Sequence, residues 1–254
     1  MSEQYGNSGD AERQWREGAE REDLVLLDGF HALKHALRFG ADVRLAVAED
    51  PEAVRGLARE LAPDVEAQVA RLVRQAPLKG LVARVHPTGV AALAVRPGRA
   101  EGRARLEARP RSAPIVLLDN PRNLGNVGAV VRLAAGFGAT GVLTRGDLDP
   151  WHPNVVRAGA GLHYATTVDR VELAALPPGP LYALDPEGED IRALTLPDEA
   201  LLAFGSERHG ISPELRARAD HLVSLPMRPQ VSSYNLATSV AMTLFHWGGP
   251  KETA

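Results

Sequence analysis

Short apolar runs punctuate the second half of the chain near residues 115–119, 141–144, 181–184, 201–204 and 222–225. Between them lie segments whose apolar residues recur with a helical period, near 127–138, 153–159, 212–218 and 235–247. Strands that alternate with helices from Pro114 onward predict an α/β domain built on a parallel sheet. The first half has a different texture. A strand at 24–27, a turn at Asp28-Gly29, a helix to about Phe39 and a strand at 43–48 are followed by a helix that Pro51 opens at its first position. A third helix over 64–75 and two short strands, LVARV and VAALAV on either side of Gly89, complete a small α/β unit over 23–95. Residues 1–22 are polar and nearly free of aliphatic side chains, which predicts a disordered tail. A Pro/Gly/Arg-rich linker over 96–113 separates the small unit from the domain at 114–254.

Composition narrows the function classes. With 44% hydrophobic and 24% charged residues, the chain reads as a globular protein. It contains no run of 18 apolar residues that could span a membrane, and no apolar core of a signal peptide, so the expected location is cytoplasmic. The chain has no cysteine, which excludes disulfides and cysteine-ligated zinc. His31 and His35 are four apart, but no glutamate follows His31 as metal-site spacing would require, so a helix face is expected and no metal. The net charge of −3 is unevenly spread: residues 1–23 hold seven acids and three arginines, while 96–111 hold six arginines and two glutamates. That basic stretch leaves RNA contact and a merely solvated linker equally open.

Three polar clusters follow predicted strand ends. Gly136-Phe-Gly138-Ala-Thr-Gly141 has dinucleotide-loop spacing, but helix precedes it and strand follows, the reverse of what that motif needs, so it reads as a helix stop and turn. After 115–119 comes Asn126-Val-Gly128, with Arg132 six residues beyond Asn126. Asn126 can cap the following helix, Gly128 can admit a ligand or another chain, and Arg132 looks buried; a cap plus a structural ion pair is the bland alternative. After 201–204 comes Gly205-Ser-Glu207-Arg-His-Gly210, a carboxylate flanked by glycines. After 222–225 comes Pro226-Met227 and then Ser232-Ser233-Tyr234-Asn235 at a helix start. Clusters at several strand C-termini of one parallel sheet converge on one crevice.

Together these clusters resemble the three motifs of the SPOUT superfamily in its SpoU (TrmH-like) branch of RNA ribose 2′-O-methyltransferases. The matching residues are Asn126-x-Gly128-x-x-x-Arg132, then Phe204-Gly205-Ser206-Glu207-x-x-Gly210-Ile211, then Leu225-Pro226-Met227 with Ser233-Tyr234-Asn235. Asn123 also begins an Asn-x-Gly triplet, but six residues on it meets Ala129, so the family asparagine is carried to Asn126. Tyr234 stands where the family usually has leucine. The resemblance covers about 114–248. It implies a deep trefoil knot in the C-terminal domain and an L30e-like, RNA-binding N-terminal domain. It further implies S-adenosylmethionine as cofactor, with Leu184, Gly205, Gly210, Leu225, Met227, Tyr234 and Asn235 as its binding residues. Arg132, Asn126, Glu207, Ser233 and Asn235 are the implied catalytic residues, with Glu207 a candidate to hold the Arg132 fork. The implied substrate is the ribose 2′-hydroxyl of structured RNA, ribosomal more than transfer RNA. The implied assembly is a homodimer, with the apolar Leu236, Val240, Leu244 and Trp247 of the last helix facing the twin subunit or their own sheet. The alternatives are a transfer-RNA 2′-O-methyltransferase and a knotted RNA-binding factor without catalysis.

Overall fold

The computed structural model describes residues 8–248. They fall into two compact units: residues up to Pro97 together with Ala160–Ala165, and the remainder from Gly98.

In the first unit, α1 (Ser8–Ala19) precedes β1 (Leu24–Asp28), α2 (Phe30–Arg38), β2 (Val43–Ala48), α3 (Pro51–Leu61), α4 (Glu66–Leu72), β3 (Val73–Gln75) and β4 (Val90–Val95). The strands form a mixed sheet in the order β1-β4-β2-β3, antiparallel except for β2 with β3. Asp50 caps α3 by accepting from the backbone N–H groups of Glu52 and Ala53, and Pro51 occupies the first position, where its missing N–H costs nothing. On one face of the sheet Leu45, Val47, Ala91 and Leu93 pack with Ala11 and Trp15 of α1.

This unit departs from the expected layout in three places. Residues 8–19 are helical rather than a disordered tail, because Trp15 is 1% exposed and its indole N–H donates to Leu81 O at 3.0 Å. The part of the predicted tail before Ser8 lies outside the described residues. The third helix ends at Leu72, since Val73–Gln75 extend the sheet alongside β2. LVARV is no strand; Leu81 and Val82 instead pack beside the α1-facing cluster. His35, in α2, directs Nδ1 to Ala160 O at 2.9 Å, and burial lowers its pKa despite that contact.

In the second unit, α5 (Arg99–Glu107) leads into β5 (Ile115–Asp119), α6 (Leu124–Phe137), β6 (Gly141–Arg145), α7 (Pro153–Ala158) and β7 (Thr167–Arg170). The chain continues through β8 (Leu181–Asp190), β9 (Leu201–Phe204), α8 (Pro213–Arg218), β10 (His221–Ser224) and α9 (Leu236–Trp247). The six strands form an all-parallel sheet in the order β10-β8-β9-β5-β6-β7. Leu106 of α5 and Leu215 of α8 pack with Ile115, Leu117, Leu143 and Leu201 in one buried cluster. The stretch expected as a basic linker is therefore partly a helix, anchored by Leu106 at 4% exposure. Its arginines are paired: Arg103 with Glu107 at 2.7 Å and Arg105 with Glu101 at 2.6 Å within the helix, and Arg99 with Asp169 of the neighbouring strand at 3.2 Å.

The polar edge strand β7 carried no apolar signal, whereas Gly138 does end α6, with φ 71°, and β6 follows. Leu236, Val240 and Leu244 of α9 are buried within this chain, so they do not form an outward face; Phe245, 73% exposed, does point outward.

Candidate functional site

A parallel sheet delivers all its strand C-termini to one edge, where loops can converge on a ligand. Here β5 ends at Asp119, β9 at Phe204 and β10 at Ser224, and each is followed by one of the motif loops.

The loop after β5 runs into α6, whose cap is Asn123 rather than Asn126: Asn123 Oδ1 accepts from the Asn126 backbone N–H at 3.0 Å. A cap of this kind contributes about 0.5–2 kcal/mol. It leaves the Asn126 side chain free for other work. Asn126 Nδ2 donates to Glu207 Oε1 at 2.6 Å, and Asn235 Nδ2 donates to Asn126 Oδ1 at 3.2 Å. Asn235 in turn caps α9, its Oδ1 accepting from Ala237 N–H at 2.9 Å. Thus residues separated by 81 and 109 positions form one hydrogen-bonded chain that joins the three motif loops.

The loop after β9 is folded tightly on itself. Ser206 and Gly210 exchange backbone hydrogen bonds at 3.0 and 2.9 Å, and the His209 N–H donates to Ser206 Oγ at 3.2 Å. A Cβ on Gly205 would lie 1.9 Å from the Gly210 carbonyl carbon, and Gly210 itself has φ 65°. Gly205→Ala is therefore expected to force the loop open at a cost of about 1–3 kcal/mol. Calorimetry should show loss of cofactor binding, and unchanged affinity would refute the tight-loop reading.

The loops after β9 and β10, with Leu184, Asp185 and Pro186 of β8, enclose a cavity of about 460 Å³, within the roughly 300–1,000 Å³ usual for small-molecule sites. Six of the expected cofactor residues line it: Leu184, Gly205, Gly210, Leu225, Met227 and Tyr234. The seventh, Asn235, lies in the hydrogen-bonded chain just described. Of the expected catalytic residues, Glu207 and Ser233 line the cavity. The hydroxyl of Tyr234 donates to Pro226 O at 2.9 Å, so the residue that departs from the family's leucine closes its own loop. Asp185 also lines the cavity; desolvation raises its pKa, but hydrogen bonds from Glu187 N–H and Arg216 outweigh this and hold the carboxyl below its ordinary value.

Arg132 stands apart. The buried stripe of α6 is Val127, Val130, Val131 and Ala134, and Arg132 falls off it, so it is exposed rather than buried. Six helical residues beyond Asn126 place it about 9 Å farther along the axis and roughly 120° round the helix. It makes no ion pair or hydrogen bond among the described residues, and Glu207 is engaged by Asn126 instead of holding the Arg132 fork. Gly128 serves packing rather than ligand access: a Cβ there would meet Ala158 Cβ at 2.4 Å and Val155 O at 2.5 Å.

One supporting pair was not expected from the sequence. Asp119, 1% exposed, receives Arg145 Nη1 at 2.7 Å and the Ser212 backbone N–H at 2.7 Å, tying the β5 end to the residue that follows the glycine loop. The available signal was a lone charge closing each of two apolar runs, which register places opposite one another on β5 and β6.

An all-parallel α/β domain with a cavity at its strand ends is the usual setting of a small-molecule or cofactor site. Sequence comparison sharpens this: the SpoU rRNA Methylase family profile matches residues 113–245, and the chain belongs to that family. An uncharacterized tRNA/rRNA methyltransferase of Synechocystis is 27% identical over 245 residues, spanning 90% of this chain and 85% of that protein. The 23S rRNA (uridine(2479)-2′-O)-methyltransferase of Streptomyces viridochromogenes is 31% identical over 144 residues, 51% of this chain and 50% of that one. Mouse mitochondrial rRNA methyltransferase 3 is 31% identical over 161 residues, but the match spans only 38% of its length. Among solved structures, the SpoU methyltransferase AviRb from S. viridochromogenes aligns with TM-score 0.74 at 25% identity, covering 94% of this chain and 96% of AviRb. That enzyme has also been solved in complex with AdoMet, and S-adenosylmethionine is the family's methyl donor.

Proposed function

We propose that the chain transfers a methyl group from S-adenosylmethionine to a ribose 2′-hydroxyl in structured RNA, ribosomal RNA before transfer RNA. The observation that carries this reading is the Glu207–Asn126–Asn235 chain, set beside a cavity lined by residues of the second and third motifs. The 23S rRNA target of the Streptomyces relative favours ribosomal RNA. The RNA requirement itself comes from the 2′-hydroxyl. The parallel domain is further proposed to carry the family's trefoil knot, one of the rare exceptions to unknotted topology, and the first unit to be an L30e-like RNA-binding domain.

The cavity suits the cofactor on its own chemistry. Phe204, Ile211, Val223, Leu225 and Leu236 offer apolar walls for a flat, neutral adenine, and the folded backbone at Gly205 and Gly210 keeps side chains out of its path. Bound there, S-adenosylmethionine would supply an activated methyl group. The protein must supply alignment of the ribose hydroxyl and help with its proton. Asn126 is held at both ends of its amide, so Glu207 is fixed through Oε1 and keeps Oε2 to accept from the incoming hydroxyl. Ser233 adds a hydroxyl at the cavity wall. The Arg132 guanidinium is always protonated, so its role is to lower the hydroxyl's pKa or grip the adjacent phosphate while water or phosphate takes the proton.

Because Arg132 is exposed and does not line its own chain's cavity, we further propose a homodimer in which it reaches the partner's cavity. The exposed Phe245 offers a contact there. Phe245→Asp is expected to shift the protein from dimer to monomer in analytical ultracentrifugation and to lower transfer; a wild-type monomer at micromolar concentration would sink the dimer.

The decisive assay follows radiolabelled methyl from S-adenosylmethionine into RNA, with the product nucleoside identified by mass spectrometry. Methylation on a base refutes the ribose assignment. RNA binding without cofactor binding would establish the non-catalytic alternative.

A further inference from the structure

Two groups of arginines in the second unit differ in how their charge is met. Those of the basic stretch are neutralised at home: Arg99, Arg103, Arg105 and Arg109 each meet a carboxylate, at 3.2, 2.7, 2.6 and 3.0 Å. Arg111 is buried and directs its Nη groups to the carbonyls of Leu106, Pro178 and Glu199. By contrast Arg122, Arg208 and Arg228 are exposed and make no ion pair among the described residues.

These three sit one on each motif loop. Arg122 lies between Asp119 and the Asn123 cap, Arg208 follows Glu207, and Arg228 follows Met227. The loops 120–126, 205–211 and 225–235 together hold three arginines against one carboxylate, Glu207, which is engaged by Asn126. The Asn126–Glu207 and Asn126–Asn235 hydrogen bonds fasten the loops to one another, so the three cations share one rim of the protein, with Arg208 itself lining the cavity. On a chain of net charge −3, an unneutralised arginine on each of the three motif loops is a local excess that the loops' own acids do not answer. Guanidinium groups in such a setting grip phosphate oxygens, and their spread over three loops matches a polyanion rather than a single small anion.

We propose that Arg122, Arg208 and Arg228 form the clamp that holds the RNA backbone over the methyl-transfer cavity, and that the basic stretch 96–111 does not. The proposal rests on the methyltransferase reading for its substrate and adds the residues that seat it. Phosphate contacts position the strand without reading its sequence, so the clamp sets RNA affinity and leaves nucleotide choice to other groups.

The test is the salt dependence of binding to a fluorescein-labelled RNA hairpin, read by anisotropy. Each arginine removed should lower the log–log slope by about 0.7–0.9, so R122Q/R208Q/R228Q should lose roughly 2 to 3 in slope. The corresponding triple lysine variant should keep the slope, because the charge remains, which separates charge loss from misfolding. R103Q/R105Q, which removes paired arginines, should leave it unchanged. A triple glutamine variant with the wild-type slope overturns the clamp, as does a fall in slope confined to R103Q/R105Q. Calorimetry with S-adenosylmethionine on the wild type and on R122Q/R228Q, whose altered residues do not line the cavity, keeps the two readings apart. A wild type that binds no cofactor ends the methyltransferase reading, while the salt slopes still decide the clamp.

Discussion

Arg132→Ala is expected to lower methyl transfer by about 10²–10³-fold, the range found when one charge-stabilising donor is removed from a reacting centre. Cofactor affinity should stay within about twofold, because Arg132 is not among the residues lining the cavity. Arg132→Lys keeps the charge but loses the planar fork, so it should recover part of the rate if the group only stabilises charge and almost none if bidentate phosphate contact is needed. The position of the side chain adds a sharper test. It is exposed and off the buried stripe of α6, and the proposed dimer would let it serve the twin subunit's cavity. Mixing Arg132→Ala protein with Glu207→Ala protein should then restore measurable transfer, since a hybrid dimer assembles one intact site from two defective chains. Absence of rescue would place the arginine's action within its own chain. Full activity in Arg132→Ala would remove it from the mechanism altogether.

The parts of this protein that could be read from its sequence are those where one physical signal dominates locally. IVLLD, GVLTR and LLAF are strands because continuous apolar runs can only be buried, and the structure buries β5 and β9 throughout. The converging motif loops could be placed because parallel strands share one C-terminal edge, so Leu225 and Tyr234, 20 and 29 residues beyond Gly205, meet it round one cavity. What stayed hidden depends on partners distant in sequence. α5 reads as part of a basic linker because eight of its nine residues are not buried and only Leu106 anchors it. Asn126 reads as the cap of the helix, yet Asn123 takes that role and the Asn126 side chain is bound to Glu207, 81 positions away. Arg132 looked buried because its neighbours are apolar, yet a helix turns about 100° per residue and carries it to the outside. The Asp119–Arg145 pair needed the register of β5 against β6, which no local pattern reveals.

Trp15→Ala should be the most destabilising single change in the first unit, costing about 3–5 kcal/mol, against roughly 5–15 kcal/mol for the whole stability of an ordinary domain. The helix around it is polar, and Ala11 and Trp15 are its only buried residues, so the indole is most of what holds α1 to the sheet. Its ring fills the face formed by Leu45, Val47, Leu78 and Leu93, and its N–H satisfies the Leu81 carbonyl at 3.0 Å. Truncation removes the apolar transfer energy, leaves a cavity under the helix and strips that carbonyl of its donor. Trp15→Phe restores much of the volume but not the donor, so it should fall between the two, about 1–3 kcal/mol below wild type. Urea titration followed by circular dichroism gives both values. The cofactor cavity draws its lining entirely from the second unit, so S-adenosylmethionine affinity measured below the unfolding transition should be unchanged in both variants. A Trp15→Ala protein as stable as wild type would mean that α1 is a dispensable appendage, and the polar N-terminal stretch would again be the tail its composition suggests.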